Sequence, residues 1–435
     1  MKSIQHKVKK LFHRNRMMHL DFKFHPIGQG LFYSGIFTHL SGNQFSIVYD
    51  CGTDSSRQYI NHEINDFTNE LELDKESNDK LDIFFISHLH ADHTNKIADL
   101  LKATNGAKYA ILPYLNPDEL LLAYTDYVNS GNYLDDDGNP DPNLLLFFSN
   151  PTAFLKEFRV DSIIFIHPDS DSTTSAEDDN PEKDDDPSSK DFRFKLINGL
   201  EPNKEQEETN SNVEHYFDAG KLKINTFWEF KFFNKPRSTV AIAAFKKDIE
   251  ALITTNATQD NIANHILAHP KTFEKSFKTI YENHFGVKQL INQTSLVVYH
   301  GALAPERFVS SYIRWPLPRF IRRRINSGTG TLLSADICLD AATLTELRQK
   351  WTNNKYFDNV DICQVPHHGS RGDMSFQVFQ EFGNVIIWLI NFGLGNKHKL
   401  PHQDIINLLV NNGKIRNIFS NNQIQIFRYT HYLVR

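Results

Sequence analysis

Ile83-Phe84-Phe85-Ile86-Ser87-His88-Leu89-His90-Ala91-Asp92-His93 is the stretch on which the fold turns. Four β-prone apolar residues read as a buried strand. The strand runs into a turn carrying three histidines and a carboxylate at His-x-His-x-Asp-His spacing. Side chains alternate along an extended chain, so His88 and His90 point the same way. The turn then carries Asp92 and His93 to the other side of whatever that first pair holds. Imidazole and carboxylate suit Zn²⁺ or another divalent first-row metal, and four such groups in six residues furnish halves of two adjacent sites. The competing reading is a polar loop with chance histidines. With 20 His in 435 residues, clustering directly after a buried strand argues against it.

This segment resembles the signature of the metallo-β-lactamase-fold hydrolases. The resemblance implies that His88 and His90 bind one metal, that Asp92 and His93 bind a second, and that a later Asp bridges both. The family's chemistry spans lactams, thioesters, lactones, phosphodiesters and redox reactions, so the function has to come from the rest of the chain.

The length allows two or three ordinary domains, or one large domain with insertions. Hydrophobic content of 40% and charged content of 23% describe a globular protein, and a net charge of −6 does not advertise nucleic-acid binding globally. Phe is abundant at 34 residues, without a functional reading. Three cysteines in strand-like contexts (Cys51, Cys338, Cys363) fit buried thiols in a reducing compartment. With no membrane-length apolar run, the expectation is a cytoplasmic protein that does not cross a membrane.

Residues 1–18 form a basic arm, read first as a solvated terminus. Residues 19–114 make the first half of the fold. Gly28-Gln29-Gly30 and Asp50-Cys51-Gly52 punctuate its strands and resemble one branch of the family: the metallo-β-lactamase domain of competence DNA-channel proteins and its free-standing relatives. That branch has Asp where Leu31 stands, and Asp-Gly-Gly where Asp50-Cys51-Gly52 stands. Asp50 is then either a group orienting a ligand or a simple strand-end residue. Residues 115–290 read as an elaboration that still contains core strands. Within it, Asp169–Asp191 holds ten acids against two lysines, and 169–210 reads as a disordered loop.

Residues 291–435 return to the fold. The resemblance places Asn292 near metal 1, where many relatives have a third histidine; His300, eight residues on, is the alternative. Leu332-Leu333-Ser334-Ala335-Asp336 resembles a Leu-Leu-Thr-Gly-Asp element and makes Asp336 the bridging ligand. Pro366-His367-His368-Gly369-Ser370 matches the branch's Pro-His-His-Gly-Ser. One histidine of that pair completes metal 2 and the other orients substrate or a ligand. The order is open, and the working assignment gives the metal to His368 and a catalytic role to His367 beside Asp92. Ser370 is a candidate phosphate contact. His402, in the terminal Pro-His segment, is a candidate phosphate contact or proton donor, whereas His398 reads as a surface residue. Arg322, Arg323 and Arg324 precede the Asp336 strand and suit phosphate-backbone binding or, equally, a solvated basic connection.

The fold expected is therefore α/β: the αββα metallo-β-lactamase sandwich with a large insertion. The function expected is two-metal hydrolysis, with Zn²⁺ first and Mn²⁺ second, by a phosphodiesterase or nuclease acting on nucleic acid or a nucleotide. The alternatives are a hydrolase of a small ester, lactone or thioester, which needs an apolar pocket built by residues 115–290, and a partner-activated component of a multi-protein system, antiviral defence included.

Overall fold

The computed structural model describes residues 16–71, 79–129, 141–168, 191–197, 212–217, 220–252 apart from 236 and 238, a few positions between 276 and 284, 290–315, 321–323, 328–414 and 417–434. Most of the N-terminal arm, most of the acidic loop and Arg324 lie outside these residues.

The chain builds two large sheets by moving between them. It lays down β1 (Arg16–Phe24), β2 (Gly30–His39), β3 (Gln44–Thr53), β4 (Leu81–Phe85), β5 (Ala107–Pro113) and β6 (Val160–His167) in the first sheet. It crosses to β7 (Phe194–Ile197) in the second and returns for β8 (Val213–Phe217). The second sheet then gains β9 (Lys221–Ile224), β10 (Trp228–Phe233) and β11 (Val297–Ala302) before β12 (Phe308–Trp315) and β13 (Ile321–Arg323) rejoin the first. Finally β14 (Gly330–Leu333), β15 (Val360–Gln364), β16 (Ile387–Asn391) and β17 (Ile418–Asn421) complete the second sheet, and β18 (Ile426–Val434) pairs with β1. The span 115–290 thus supplies β6 and β8 to one sheet and β7, β9 and β10 to the other.

Each sheet changes from antiparallel to parallel partway across. In the first, β3, β4, β5, β6 and β8 run parallel; in the second, β14, β15, β16 and β17 do. Parallel strands end at one edge, and sites in such sheets form beyond their carboxyl ends. Asp50 lies near the end of β3, the histidine turn follows β4, Asp336 follows β14, and the His367-His368 pair follows β15.

Apart from Asp82, β4 is apolar because both of its faces are covered. Ile83 and Phe85 pack into the core between the sheets, while Leu81 and Phe84 pack under the helices. The abundance of Phe has its structural account here. Phe85 stacks on Phe230 at 5.3 Å and Phe22 on Trp228 at 5.6 Å, so broad rings span the gap between two twisted sheets, and within the first sheet Phe24 lies 4.5 Å from Tyr33.

The helices used below are α1 (Arg57–Glu70), the short α2 (Ala91–Thr94) and, near the C-terminus, a helix Gln403–Asn411. The α2 turn lies directly on β2 and β3. A Cβ on Gly52 would stand 2.4 Å from the Thr94 nitrogen and 2.5 Å from the His93 carbonyl carbon. Backbone cannot yield there as a side chain would. Gly52→Ala is expected to destabilise the fold by about 2–4 kcal/mol and to lower metal content by shifting His93, read by thermal unfolding and metal analysis. Wild-type values for both would show that the turn is free to move.

An ionic group ties α1 to the first sheet. The Glu63 carboxylate accepts from Lys23 at 2.7 Å and from His25 Nδ1 at 2.8 Å, and Ser34 donates to His25 Nε2 at 2.8 Å. Burial lowers His25, the Glu63 hydrogen bond offsets this only in part, and the Lys23 charge adds to it, leaving a pKa of about 4. Burial alone would raise Glu63, but His25 and Lys23 bring it down to about 2. For both groups the unfolded chain binds its proton at higher pH than the folded chain. The stability they support is complete above pH 6.5 and is lost on acidification, through His25 between 6.5 and about 4 and through Glu63 between 4.5 and about 2. The His25 part is on the order of 3 kcal/mol. With metal chelated, Tm should fall more steeply from pH 7 to 4 in the wild type than in His25→Gln; equal slopes would dismiss the group.

Candidate metal centre

The structure brings Asp92, His93, Asp336 and His368 together as one group and His88, His90 and Asp336 as a second, the donor atoms within each group lying within 4.8 Å of one another. Asp336 is common to both. Its Oδ1 lies 3.1 Å from His93 Nε2 and 3.7 Å from His368 Nε2, while its Oδ2 lies 3.9 Å from His88 Nε2. His368 Nε2 is also 3.2 Å from Asp92 Oδ2. The carboxylate thus presents one oxygen to each group.

The ring nitrogens facing away from this centre are occupied, which sets which nitrogen is bare. Asp50 is fully buried, and its Oδ2 accepts from His93 Nδ1 at 2.8 Å and from the Ser87 hydroxyl at 2.6 Å. With its proton committed to Asp50, Ser87 Oγ accepts from His88 Nδ1 at 2.9 Å. Its amide donates to Asp50 Oδ1 at 2.7 Å. His368 Nδ1 donates to the Asn391 carbonyl at 2.9 Å. Each of the three rings therefore turns Nε2 inward, the nitrogen through which such an imidazole can bind a metal. Of the two readings of Asp50, the geometry gives the orienting one.

Inside the fold, His88 Nε2, His93 Nε2 and Asp336 Oδ1 are buried without a hydrogen-bond partner. Three unsatisfied polar atoms converging in one buried place are costly unless a cation satisfies them, and an N/O donor set of this kind fits a divalent first-row metal. Charge bears this out. Burial lowers His93, but the carboxylates of Asp336, Asp92 and Asp50 outweigh it and hold the ring's pKa well above its ordinary value. Asp92 and Asp336 lie well below theirs, burial being overcome first by the His93 charge. A bound metal takes the place of that proton, so metal uptake releases it.

The backbone is left-handed at several of these positions. Asp50 has φ 59°, Ala335 48°, His367 47° and His368 55°. Ala335 occupies the position where the resembling motif has Gly, and its φ shows why Gly suits it; a non-glycine there costs about 1 kcal/mol. The consecutive left-handed residues throw the two histidines apart, with ring centroids 6.3 Å apart and planes at 63°.

A cavity of about 630 Å³ opens over the centre. His367 borders it, with Nδ1 bonded to Asp373 at 2.8 Å and Nε2 3.7 Å from Asp336 Oδ2. The Asn292 amide lies 3.3 Å from the His367 ring. Ser370 lines the cavity, and so does His402, whose Nδ1 accepts the Asp404 amide at 3.2 Å at the start of the helix Gln403–Asn411. His398 is exposed, as a surface residue should be, yet it lines the same cavity. His300 is elsewhere: buried between the sheets, 2.7 Å from the Tyr33 hydroxyl. Arg322 and Arg323 lie on β13, the edge strand six places from β4. Sequence reading passed over Ser87, Asp373 and Lys397. Ser87 directly precedes the motif, and that was its only local signal.

Residues 36–180 match the family model described as the metallo-beta-lactamase superfamily. Among solved structures, the chain is similar to a long form RNase Z from yeast, at 9% identity and TM-score 0.31, covering 86% of this chain and 36% of that one. It therefore spans about a third of the RNase Z. It is also similar to the metallo-beta-lactamase fold protein YhfI from Bacillus subtilis, at 9% identity and TM-score 0.34, covering 94% and 99% of the two chains. No curated protein matches the sequence. Among the described residues no helix is long and apolar enough to cross a membrane.

Proposed function

We propose that this chain, which carries a domain of the metallo-β-lactamase superfamily of hydrolases, is a metal-dependent phosphodiesterase acting on nucleic acid or a nucleotide. The observation that carries the reading is the character of the cavity. Apart from Ala91, Tyr127, Cys338 and Leu400, every lining residue is polar or ionisable. A small lactone or thioester needs a wall of apolar side chains. Of residues 115–290, only Tyr127 reaches the lining among the described residues. Arg371, Lys397 and His402 on its border suit an anion instead.

His88, His90 and Asp336 would hold one ion, and Asp92, His93, Asp336 and His368 the other, with Zn²⁺ first and Mn²⁺ second by donor type. Bound there, two ions supply Lewis acidity that activates water and neutralises charge on the phosphate oxygens. His367, anchored by Asp373, turns Nε2 toward the cavity, where it can donate to a phosphate oxygen. His402 accepts a backbone N–H at Nδ1, so its neutral ring carries the proton on Nε2 and can pass it to the leaving oxygen. Asn292 and Ser370 add neutral contacts to the substrate.

The test is metal content together with turnover of bis-p-nitrophenyl phosphate and a DNA/RNA panel under Zn²⁺, Mn²⁺ and Mg²⁺. About two ions per chain with metal-dependent cleavage is the expected result. Full metal occupancy without any phosphodiester turnover would overturn the reading. The basic edge bears on substrate length. β13 lies roughly 25–30 Å across the sheet from β4, so its arginines can reach only a polymer threaded past the centre. Replacing Arg322, Arg323 and Arg324 with alanine should weaken binding of a long strand and flatten its salt dependence. Unchanged binding would leave that hairpin as a connection only.

A further inference from the structure

The loop from Gly393 to His402 is unusually well fixed for a surface segment with a cationic tip. At its base the Gly393 amide donates to Gln29 Oε1 at 3.2 Å, and the Leu394 amide donates to Gln423 Oε1 at 2.8 Å. Those two glutamines are joined through Ser55 Oγ, which accepts from the Gln29 amide at 2.9 Å and from Gln423 Nε2 at 3.3 Å. Across the loop, Asn396 Nδ2 donates to the carbonyls of Gly393 and Leu400, each at 2.7 Å, and Asn396 Oδ1 accepts the Leu400 amide at 2.9 Å. At the far end the His402 amide donates to Gly369 O at 2.9 Å, beside the metal-binding turn. The tip is Lys397-His398-Lys399. Lys397 and His398 line the cavity, and the Lys397 side chain remains 67% exposed.

Acids face this tip. Lys397 Nζ is 3.9 Å from Asp54 Oδ2, a loose contact. Arg371 is 3.0 Å from Asp404, which draws that guanidinium toward the outer side of the border. Of Arg371 and Lys397, the lysine and arginine that line the cavity among the described residues, Lys397 has the looser ion pair. A scaffold that fixes both ends of a loop while leaving its ammonium to water removes most of the ordering penalty from anion capture.

We propose that this loop is a specificity arm in which Lys397 binds an anionic group neighbouring the phosphodiester to be cut, with Gln29, Gln423 and Asn396 as positioning residues. The inference rests on the phosphodiesterase reading and narrows it: the substrate carries a second phosphate next to the scissile one, as a nucleic-acid strand or a terminally phosphorylated nucleotide does.

The probes are thymidine dinucleotides bearing a terminal phosphate at the 5′ end, the 3′ end or neither. Binding is measured on the metal-loaded protein with phosphorothioate-linked versions at low ionic strength, and turnover with ordinary ones. The wild type should prefer one phosphorylated form by about fivefold, a preference that Lys397→Ala abolishes, Lys397→Arg keeps and Asn396→Ala diminishes. No preference in the wild type, or one that survives Lys397→Ala, overturns the arm. Preference in binding with no turnover of any dinucleotide, of bis-p-nitrophenyl phosphate or of the DNA/RNA panel overturns the phosphodiesterase reading and leaves the arm standing. Turnover without preference does the reverse.

Discussion

Asp336→Ala is expected to strip about one of the two bound metal ions, to leave the other weakly held and to cut hydrolysis by at least about a thousandfold, while the fold survives. No other residue belongs to both donor groups. Its Oδ1 faces His93 and His368, and its Oδ2 faces His88, so no neighbouring side chain can replace both contacts at once. The His88–His90–Asp336 group would keep two histidines, too few for a tight site, whereas the other group would keep Asp92, His93 and His368. Residual metal in the variant should therefore approach one weakly held ion per chain. The fold should persist because the sheets are held by aromatic packing away from this edge, and the buried carboxylate is lost together with the cations it balances. Thermal unfolding of the chelated proteins checks that premise, and metal analysis with bis-p-nitrophenyl phosphate turnover checks the claim. Unchanged turnover, or two ions retained, would remove Asp336 from its bridging place.

How much of this was legible beforehand depended on how local each feature is. The histidine turn announces itself because its donors occupy six consecutive residues after a strand buried on both faces. Asp336 and the His367-His368 pair were readable for the same reason: each sits directly after a short apolar strand in a recognisable tripeptide or longer motif. The orienting groups were not. Ser87 matters through Asp50, 37 residues away, and Lys397 through a loop clamped by Gln29 across the sandwich. Neither relation leaves a mark in either local segment. Alternating apolar residues identify strands, but they do not say which sheet receives them. The distribution of β6 to β10 between the sheets follows from register and closure, which only the folded chain displays.

His367→Asn and His368→Ala should separate the two adjacent histidines by opposite phenotypes. His368 has its Nδ1 committed to the Asn391 carbonyl and its Nε2 among Asp92 and Asp336, so its loss should lower the metal content of the four-donor group. His367 is bonded to Asp373 on one side and borders the cavity on the other, outside both donor groups. Its replacement should leave about two ions per chain and lower kcat by about a hundredfold, the range of a positioned hydrogen-bond donor or acid. Asparagine is the substitution of choice because position 367 has φ 47°, a conformation Asn adopts more readily than most residues. Asp373→Asn should weaken the same function through His367 without touching metal, since it acts by holding the ring. The converse pattern, with metal lost from His367→Asn and retained in His368→Ala, would exchange the two roles. It would also require the turn to invert in solution, because the left-handed backbone at 367 and 368 is what sends only the second ring into the donor group.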